Sequence, residues 1–386
     1  MKDVENEKFK FNTNYKRLSL TLISFGIIGL FAAFLIDDHR AWTNMLLNSY
    51  YFTTLSACAV LLLAMLYLVD AKWSEAIRHI PEAIGAFVPI GAILIFMLLP
   101  GLGILYEWVD GVKHDPALAA KASFLNPAFF VFRMAIILGL WTLFSVAFRR
   151  LSPIGEDDAN RKRCIRLSAI FSAVFGLSFI LSAFDWIMSL EPHWYSTIFA
   201  IYLFSGDFVA LIAATTFAVV VLKEIGYLKR VNENHLHDLG KLLFAFVFFW
   251  AYIWFCQFLL IWYSNIPEET EYFYRRLTAD WSWLFFFNLA VNFIIPFLIL
   301  LPRASKRSMA ALKRVCILLF VGHWLDLYLL IVPGFMKANV SIGVPEILIS
   351  LGYAGAFTWV VGRALSCKPL ISVTSSYMEE SLHYHQ

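Results

Sequence analysis

Residues 181–209 read LSAFDWIMSLEPHWYSTIFAIYLFSGDFV, two apolar runs joined by a short connection that holds Glu191 and His193. Each run carries one carboxylate, Asp185 near the end of the first run and Asp207 well inside the second. A carboxylate inside a membrane segment is energetically expensive, so such groups usually pair, titrate or line a polar path. A function for this chain has to account for both of them.

Apolar runs of similar length recur along the whole chain and indicate the fold class. The sequence is 60% hydrophobic and only 15% charged, whereas a soluble domain has roughly 25% charged residues. A helix needs about 20 apolar residues to cross a bilayer core. We therefore predict an all-α integral membrane protein, one polytopic unit with ten transmembrane helices, at 18–36, 45–69, 83–105, 128–148, 166–189, 195–222, 240–263, 281–301, 314–333 and 346–365.

The distribution of Lys and Arg predicts the orientation of these helices. If the N-terminus is cytoplasmic, inner segments carry more Lys and Arg than outer loops by roughly four to one, which is a strong positive-inside bias. Both termini are therefore expected in the cytoplasm, as tails over 1–17 and 366–386. The connection after Leu190 then faces outward. The net charge of +3 reflects this topology, and nucleic-acid binding is not expected.

A faint internal repeat divides the chain. Helix five ends in the pattern D-x6-P from Asp185, and helix nine ends in the same pattern from Asp326. Helices three and seven share the triplet AFV, and a Phe-Arg pair in helix four matches a Phe-Asn pair in helix eight. The shared order predicts two parallel four-helix bundles, helices 2–5 (45–189) and helices 6–9 (195–333), with helices 1 and 10 outside them.

Four polar residues inside the predicted helices are candidates for a proton path: Asp185, Asp207, His323 and Asp326. Asp207 is placed near the membrane midplane. His323 and Asp326 are spaced i,i+3 on helix nine, so they share a face and lie within mutual reach. Histidine titrates near neutral pH, and an adjacent carboxylate would tune it. Static pairing is the alternative, and for Asp185 the partner would be Arg133 in helix four.

The remaining polar residues and the cysteines indicate structural roles. Asn288, Asn292 and Gln257 are expected to form interhelical hydrogen bonds, a common use of amides in membranes. The five cysteines are scattered and lack the spacing of metal, iron–sulfur or haem attachment sites. We therefore expect no metal site, no covalently bound haem, no iron–sulfur cluster and no catalytic residue in this chain.

Three long segments resemble a known family. They read FDWIMSLEPHWYSTIFAIYLFSGDF (184–208), HDLGKLLFAFVFFWAYIWFCQFLLIWYSNIPEET (237–270) and HWLDLYLLIVP (323–333). Together they resemble the NrfD-like proteins, or polysulfide reductase membrane subunits, of bacterial alternative complex III. The resemblance covers most of helices five to nine, and the length of the chain is similar to that of the smaller of the two such subunits in that complex.

This resemblance implies a fold, a role and partners. The family fold is ten helices with two four-helix bundles. The complex is a quinol:cytochrome c or electron-acceptor oxidoreductase of the bacterial cytoplasmic (inner) membrane, and it oxidises menaquinol or ubiquinol in respiratory electron transport. The implied partners are the larger NrfD-like subunit, an iron–sulfur subunit, haem c subunits and a terminal oxidase. Haem c and iron–sulfur clusters would belong to those partners.

For this chain, the resemblance implies a scaffold with a path for proton translocation through the four polar residues named above. The candidates for contact with a quinone are Arg133, in the outer part of helix four, and Glu191 and His193, in the outward connection. Simple solvation of Glu191 and His193 is the alternative, and the family places the main quinol site in the larger subunit.

A different class of function also fits the pattern. In a stand-alone proton-coupled secondary transporter, Asp207 and His323 would be substrate or proton sites. Transporter helices are often broken by Gly or Pro near such a site. Here Gly206 precedes Asp207, and Pro296 is expected to interrupt helix eight. The two classes can be distinguished by whether haem c and iron–sulfur subunits purify together with this chain.

Overall fold

The computed structural model of the chain describes residues 8–151, 158–335 and 342–370. Within these ranges the chain is helical and forms no strand. Ten helices are long and apolar enough to cross a membrane: α1 Thr13–Ile36, α2 Asp38–Leu68, α3 His79–Leu105, α4 Pro127–Leu151, α5 Asn160–Leu190, α6 Phe199–Glu224, α7 Glu233–Ser264, α8 Asp280–Leu300, α9 Met309–Gly334 and α10 Val344–Cys367. Each predicted run overlaps one of them, which confirms the all-helical class and the ten candidate spans.

Polar residues at helix starts explain why several helices begin before their apolar runs. Asp37 is the only residue between α1 and α2, and its side chain accepts a hydrogen bond from the backbone of His39 at 3.0 Å. Asn232 caps α7 by accepting from the backbone of His235 at 3.2 Å, and the His235 ring accepts from the backbone of Asn232 in return. Such caps satisfy N–H groups that a helix start leaves without partners. Most of the predicted C-terminal tail and the first seven residues lie outside the described ranges.

α3 and α8 are irregular near proline residues, whereas α9 stays helical through its proline. α3 is built from short pieces, His79–Gly85, Val88–Phe96, a 3-10 turn at Leu99–Gly101 and Leu102–Leu105. α8 contains a π-helical turn at Ala290–Ile294, just before Pro296, so the predicted interruption of helix eight is present. Pro333 lies inside α9. Because proline has no N–H, it leaves the carbonyl four residues earlier without its helical donor.

For reference, α2–α5 are called the first helix group, α6–α9 the second, and α1 and α10 the peripheral pair. α2 packs against α3, α4 and α5; α6 packs against α7 and α9, while α8 contacts α7 and α9. The groups meet where α2 contacts α6 and α9, and α2, α6 and α9 are the most buried of the ten helices. α1 and α10 pack mainly against each other. We call the end where α5 ends and α6 begins the α5–α6 face, and the opposite end the terminal face.

Glycines allow α1 and α10 to approach closely. A Cβ atom on Gly26 would lie 2.4 Å from the Cα of Gly352, and one on Gly29 would lie 2.5 Å from the Cβ of Leu348. Small residues that let backbones meet are a common basis of helix association in membranes. At the terminal face an isolated bridge joins Lys8 to Pro369, so the two ends of the described chain are held together.

We expect Gly26→Ala to loosen the α1–α10 pair, because its new methyl group would overlap the backbone of Gly352. Overpacking of this kind typically destabilises by about 1–3 kcal/mol. The matched control is Gly176→Ala in α5, where a Cβ meets nothing within 4 Å. Thermal unfolding in detergent should show a lower midpoint for Gly26→Ala and an unchanged midpoint for Gly176→Ala. Equal midpoints for both variants would contradict the close packing.

Candidate functional site

Asp326 lies at the centre of a buried polar cluster formed by four helices. Its Oδ1 accepts hydrogen bonds from the Tyr202 hydroxyl of α6 at 2.5 Å and from the Asn288 amide of α8 at 2.7 Å. Its Oδ2 accepts from the indole N–H of Trp250 in α7 at 3.1 Å. Hydrogen bonds compensate the burial of a polar group. These donors are all neutral, so they hold the carboxyl group in place without fixing its charge by an ion pair.

Asn292 orients this cluster. Its amide donates to Asn288 Oδ1 at 2.6 Å and to the carbonyl of Gly322 in α9 at 2.9 Å. With its oxygen occupied in this way, Asn288 turns its own N–H toward Asp326. Gly322 leaves room for this contact, because a Cβ there would lie 2.3 Å from Asn292 Oδ1. The predicted interhelical hydrogen bonding is therefore confirmed for Asn288 and Asn292.

His323 lies next to the cluster but does not join its hydrogen bonds. Its ring packs edge-on against Trp250, with ring centroids 5.4 Å apart. Neither ring nitrogen has a hydrogen-bond partner among the described residues. The expected contact between His323 and Asp326 is thus not formed, because Trp250 packs against the histidine and gives its N–H to the carboxylate. A Cβ at Gly206 would lie 3.3 Å from His323 Nδ1, so the glycine lets the ring approach α6.

Asp207 is buried where α6 meets α2. It lies near Thr54 of α2, whose hydroxyl donates to the carbonyl of Tyr50 at 2.9 Å, and it interacts electrostatically with Asp326. Its Oδ2 has no hydrogen-bond partner within the described part of the chain. Farther along α6, toward the terminal face, the hydroxyls of Thr215 and Thr216 are also buried without side-chain or backbone partners there. The structure thus brings Asp207, His323 and Asp326 into one region.

Asp185 lies in the other helix group and is held by Arg133, as the pairing alternative expects. The guanidinium donates from Nε to Asp185 Oδ2 at 2.6 Å and from Nη2 to Oδ1 at 2.9 Å. Its Nη1 donates to the carbonyl of Phe124 at 3.0 Å, and the rings of Phe124 and Phe129 lie within 4.2 Å of the guanidinium carbon. A bidentate pair of this kind is strong and directional.

The two aspartates of the D-x6-P pattern occupy matching positions with different partners. In the first group the residue after Phe132 is Arg133, and it binds Asp185. In the second group the corresponding residue is Asn288, and it binds Asp326 at 2.7 Å. The same position therefore supplies a cation in one group and a neutral amide in the other. The first aspartate is neutralised, whereas the second is only hydrogen-bonded.

The three quinone candidates have separate partners. Arg133 binds Asp185, as above. Glu191 Oε1 accepts from Arg276 Nη2 at 2.7 Å, and His193 Nε2 lies 3.1 Å from Asp115 Oδ2 at the surface. The structure thus places them in three different polar contacts.

Arg276 is a buried residue that joins three elements at the α5–α6 face. It lies in the short helix Pro267–Leu277 and is only 2% exposed. Besides Glu191, it donates from Nε to the carbonyl of Leu329 at 2.9 Å and from Nη2 to that of Leu330 at 2.9 Å. Pro333, four residues after Leu329, cannot supply the usual helical N–H to that carbonyl. Arg276 thus takes the place of the missing donor.

Comparison with known proteins gives one informative match. No family model matches the chain. The chain is similar to a subunit of the selenate reductase of Mesobacillus selenatarsenatis. The two are 21% identical over 367 residues, which cover 84% of this chain and 83% of that protein. The similarity therefore extends over nearly all of both chains rather than over one segment.

The described ranges contain no cluster of metal ligands and no paired cysteines. No group of three or more His, Cys, Asp or Glu side chains there could hold a metal ion. The five cysteines are free, and Cys58, Cys164 and Cys316 are buried. The cluster around Asp326 combines one carboxylate with neutral donors, which suits hydrogen-bond and proton chemistry.

Sequence reasoning did not find Tyr202, Trp250 or Arg276 as members of the site. Tyrosine and tryptophan are abundant in this chain, so their polar atoms carry little signal in a single sequence. Arg276 falls between two apolar runs and resembles a solvated loop residue. A signal does exist for it, because Pro333 in the D-x6-P pattern leaves a buried carbonyl that requires a donor from elsewhere.

Proposed function

We propose that this chain is a membrane subunit of a multi-subunit redox complex, and more narrowly the smaller NrfD-like subunit of a quinol-oxidising complex of the alternative complex III type. The similarity to the selenate reductase protein supports the broader role, because that protein is by name one subunit of a reductase. The three family-like segments support the narrower role. Electrons would pass through partners: the larger NrfD-like subunit, the iron–sulfur subunit, the haem c subunits and a terminal oxidase.

We further propose that Asp207, His323 and Asp326 form a proton path. The observation that carries this proposal is the buried cluster around Asp326, with neutral donors on the carboxylate and unpartnered atoms on its two neighbours. A carboxylate held by neutral donors can gain or lose a proton without breaking an ion pair. His323 and Asp207 each keep hydrogen-bonding capacity for a proton carrier. Asp185 is better suited to an anchor, because Arg133 already binds both of its oxygens.

The membrane arrangement proposed for this role is a parallel duplication in a bacterial inner membrane. The matched contacts of Arg133 with Asp185 and of Asn288 with Asp326 support two four-helix bundles related by duplication. The Lys and Arg bias supports cytoplasmic termini and an outward α5–α6 face. Quinol oxidation at that side would release protons there, and the path through α6 and α9 would couple this release to proton movement.

Purification of the tagged chain from its native membrane tests the proposed role. We expect it to migrate with subunits that contain haem c and iron–sulfur clusters, and the purified complex to reduce its haems when quinol is added. A stand-alone transporter is the second candidate, because α3 is broken into short pieces and α8 has a π-helical turn beside Asn292. A solitary chain that catalyses proton-driven uptake in vesicles would favour that candidate and contradict the complex.

Direct contact with menaquinone or ubiquinone is a separate proposal for Arg133, Glu191 and His193. A photoreactive quinone analogue added to the assembled complex is the appropriate probe. Labelling of peptides around these residues would support the contact. Labelling confined to the larger subunit would contradict it while leaving the scaffold and proton-path roles intact.

A further inference from the structure

A small cavity lies between the Asp326 cluster and the α5–α6 face. Its volume is about 20 Å³. A cavity of this size holds about one water molecule. The polar residues that line it come from α6, α7, α8, α9 and the 267–277 helix: Tyr202, Gln257, Tyr272, Arg276, Asn288 and Asp326. The rest of its lining is apolar and includes Phe273, Phe285 and Leu329, so the cavity is a mainly apolar, partly open space with polar groups in its wall.

Two buried polar atoms of the cavity lining have no hydrogen-bond partner among the described residues. They are the Oε1 atom of Gln257 and the hydroxyl of Tyr272, and both side chains are more than nine-tenths buried. A buried polar atom without a partner destabilises a protein by roughly 1–3 kcal/mol. Burial raises the pKa of the Tyr272 hydroxyl despite the nearby Arg276, so this group stays protonated and able to donate. A water between these two groups would accept a hydrogen bond from the Tyr272 hydroxyl and donate one to Gln257 Oε1.

We propose that this cavity binds an ordered water that connects Asp326 to the α5–α6 face, and that Arg276 closes the cavity on that side. The proposal rests on the proton path proposed above and gives Asp326 its route to one face. The water would have the two to four polar partners that a buried water requires. Gln257 Oε1 would accept from it, the Tyr272 hydroxyl would donate to it, and it would lie beside Asp326.

The position of Arg276 supports its role in closing the cavity. Its guanidinium carbon lies 3.4 Å from the centre of the Tyr272 ring, so it covers that residue directly. On its outer side it binds Glu191, which is 12% exposed and lies 3.6 Å from the more exposed Arg275. The Arg276–Glu191 pair therefore stands between the cavity and the surface. Displacement of this one side chain would shorten the distance from Asp326 to solvent.

In the first helix group the matching aspartate is held in a different way. There the guanidinium of Arg133 binds the aspartate itself. In the second group the guanidinium of Arg276 binds backbone carbonyls and Glu191, and Asp326 lines the cavity. In the second group an arginine thus lies at the entrance and the aspartate is held by neutral donors. This difference leaves Asp326 able to exchange protons with a water.

Hydrogen–deuterium exchange at Asp326 tests the water site in the assembled complex. The infrared band of its carboxyl group is assigned by its loss in Asp326→Asn, and its shift is followed after a change to D2O. We expect Gln257→Leu, which removes the acceptor and fills the cavity, to slow the shift about five- to tenfold, as the loss of one hydrogen bond implies. Glu191→Gln should speed it, because it weakens the pair that holds Arg276. Asp115→Asn, a surface change at the same face, should leave it unchanged.

A high-resolution map of the same complex gives an independent readout. We expect a density peak within hydrogen-bonding distance of Gln257 Oε1, absent in Gln257→Leu. Unchanged exchange in Gln257→Leu, or no peak in a map that shows other buried waters, would overturn the water site. These outcomes differ from failure of the proton path, which would appear as normal proton coupling in Asp326→Asn with the water still visible.

Discussion

An Asp185→Asn variant should assemble poorly, because the substitution leaves the buried Arg133 without its counter-charge. Arg133 gives two of its hydrogen bonds to this carboxylate. Removal of one partner from a buried ion pair typically destabilises a protein by roughly 3–5 kcal/mol. The amount of folded chain, measured by size-exclusion chromatography of detergent extracts, should fall severalfold. The complex that does assemble should oxidise quinol at a rate close to that of the wild type.

The control for this prediction is the surface pair formed by His193 and Asp115. Exposed ion pairs contribute at most about 1 kcal/mol, so Asp115→Asn should leave the yield nearly unchanged. The double variant Asp185→Asn with Arg133→Met should recover part of the lost yield, since no charge is then buried alone. Normal assembly of Asp185→Asn combined with loss of quinol oxidation would show that Asp185 is functional rather than an anchor.

Asp207→Asn and His323→Ala should have the opposite effect, with assembly intact and proton coupling largely lost. Asp207 Oδ2 and both ring nitrogens of His323 have no partner in the described structure, so these changes break few hydrogen bonds. Both remove a titratable group near Asp326. In vesicles that contain the purified complex, the number of protons moved per quinol, beyond those that the quinol itself releases, should fall toward zero while oxidation continues.

Ser205→Ala is the matched control for this pair of variants. Its hydroxyl is buried on α6 beside the site but donates only to the backbone carbonyl of Tyr202 at 2.7 Å. It should leave both assembly and proton coupling unchanged. If Asp207→Asn and His323→Ala also retained full coupling, in a complex whose wild type moves protons, the path through α6 and α9 would be wrong.

The ten helices could be predicted because their signal is local. A stretch of about 20 apolar residues identifies a span without knowledge of its neighbours. The pieces of α3 were not predicted, although Pro89 and Pro100 mark where they begin, because proline alone does not say whether a helix kinks or ends. The interruption of α8 was predicted from Pro296, and the structure adds that a π-helical turn forms there.

Side-chain contacts in the site could be predicted only where the residue types allowed few partners. Arg133 and Asp185 are opposite charges at similar depth in consecutive helices, so their contact was foreseeable. The lack of a hydrogen bond between His323 and Asp326 was not foreseeable. A shared helix face does not show which side chain of another helix packs against both residues. Trp250 does so here. Interhelical distances decide such contacts, and a single sequence does not contain them.

The pairing of α1 with α10 has a consequence for biosynthesis. α1 is synthesised before α10 by the length of eight intervening helices, so α1 must remain in the bilayer without this partner while those helices are made. Its close backbone contact at Gly26 and Gly352 cannot form earlier. A chain cut short before α10 would therefore leave α1 without the helix that packs against its glycines. The α1–α10 contact thus joins two segments that are made far apart in time and is formed late in the insertion of the described helices.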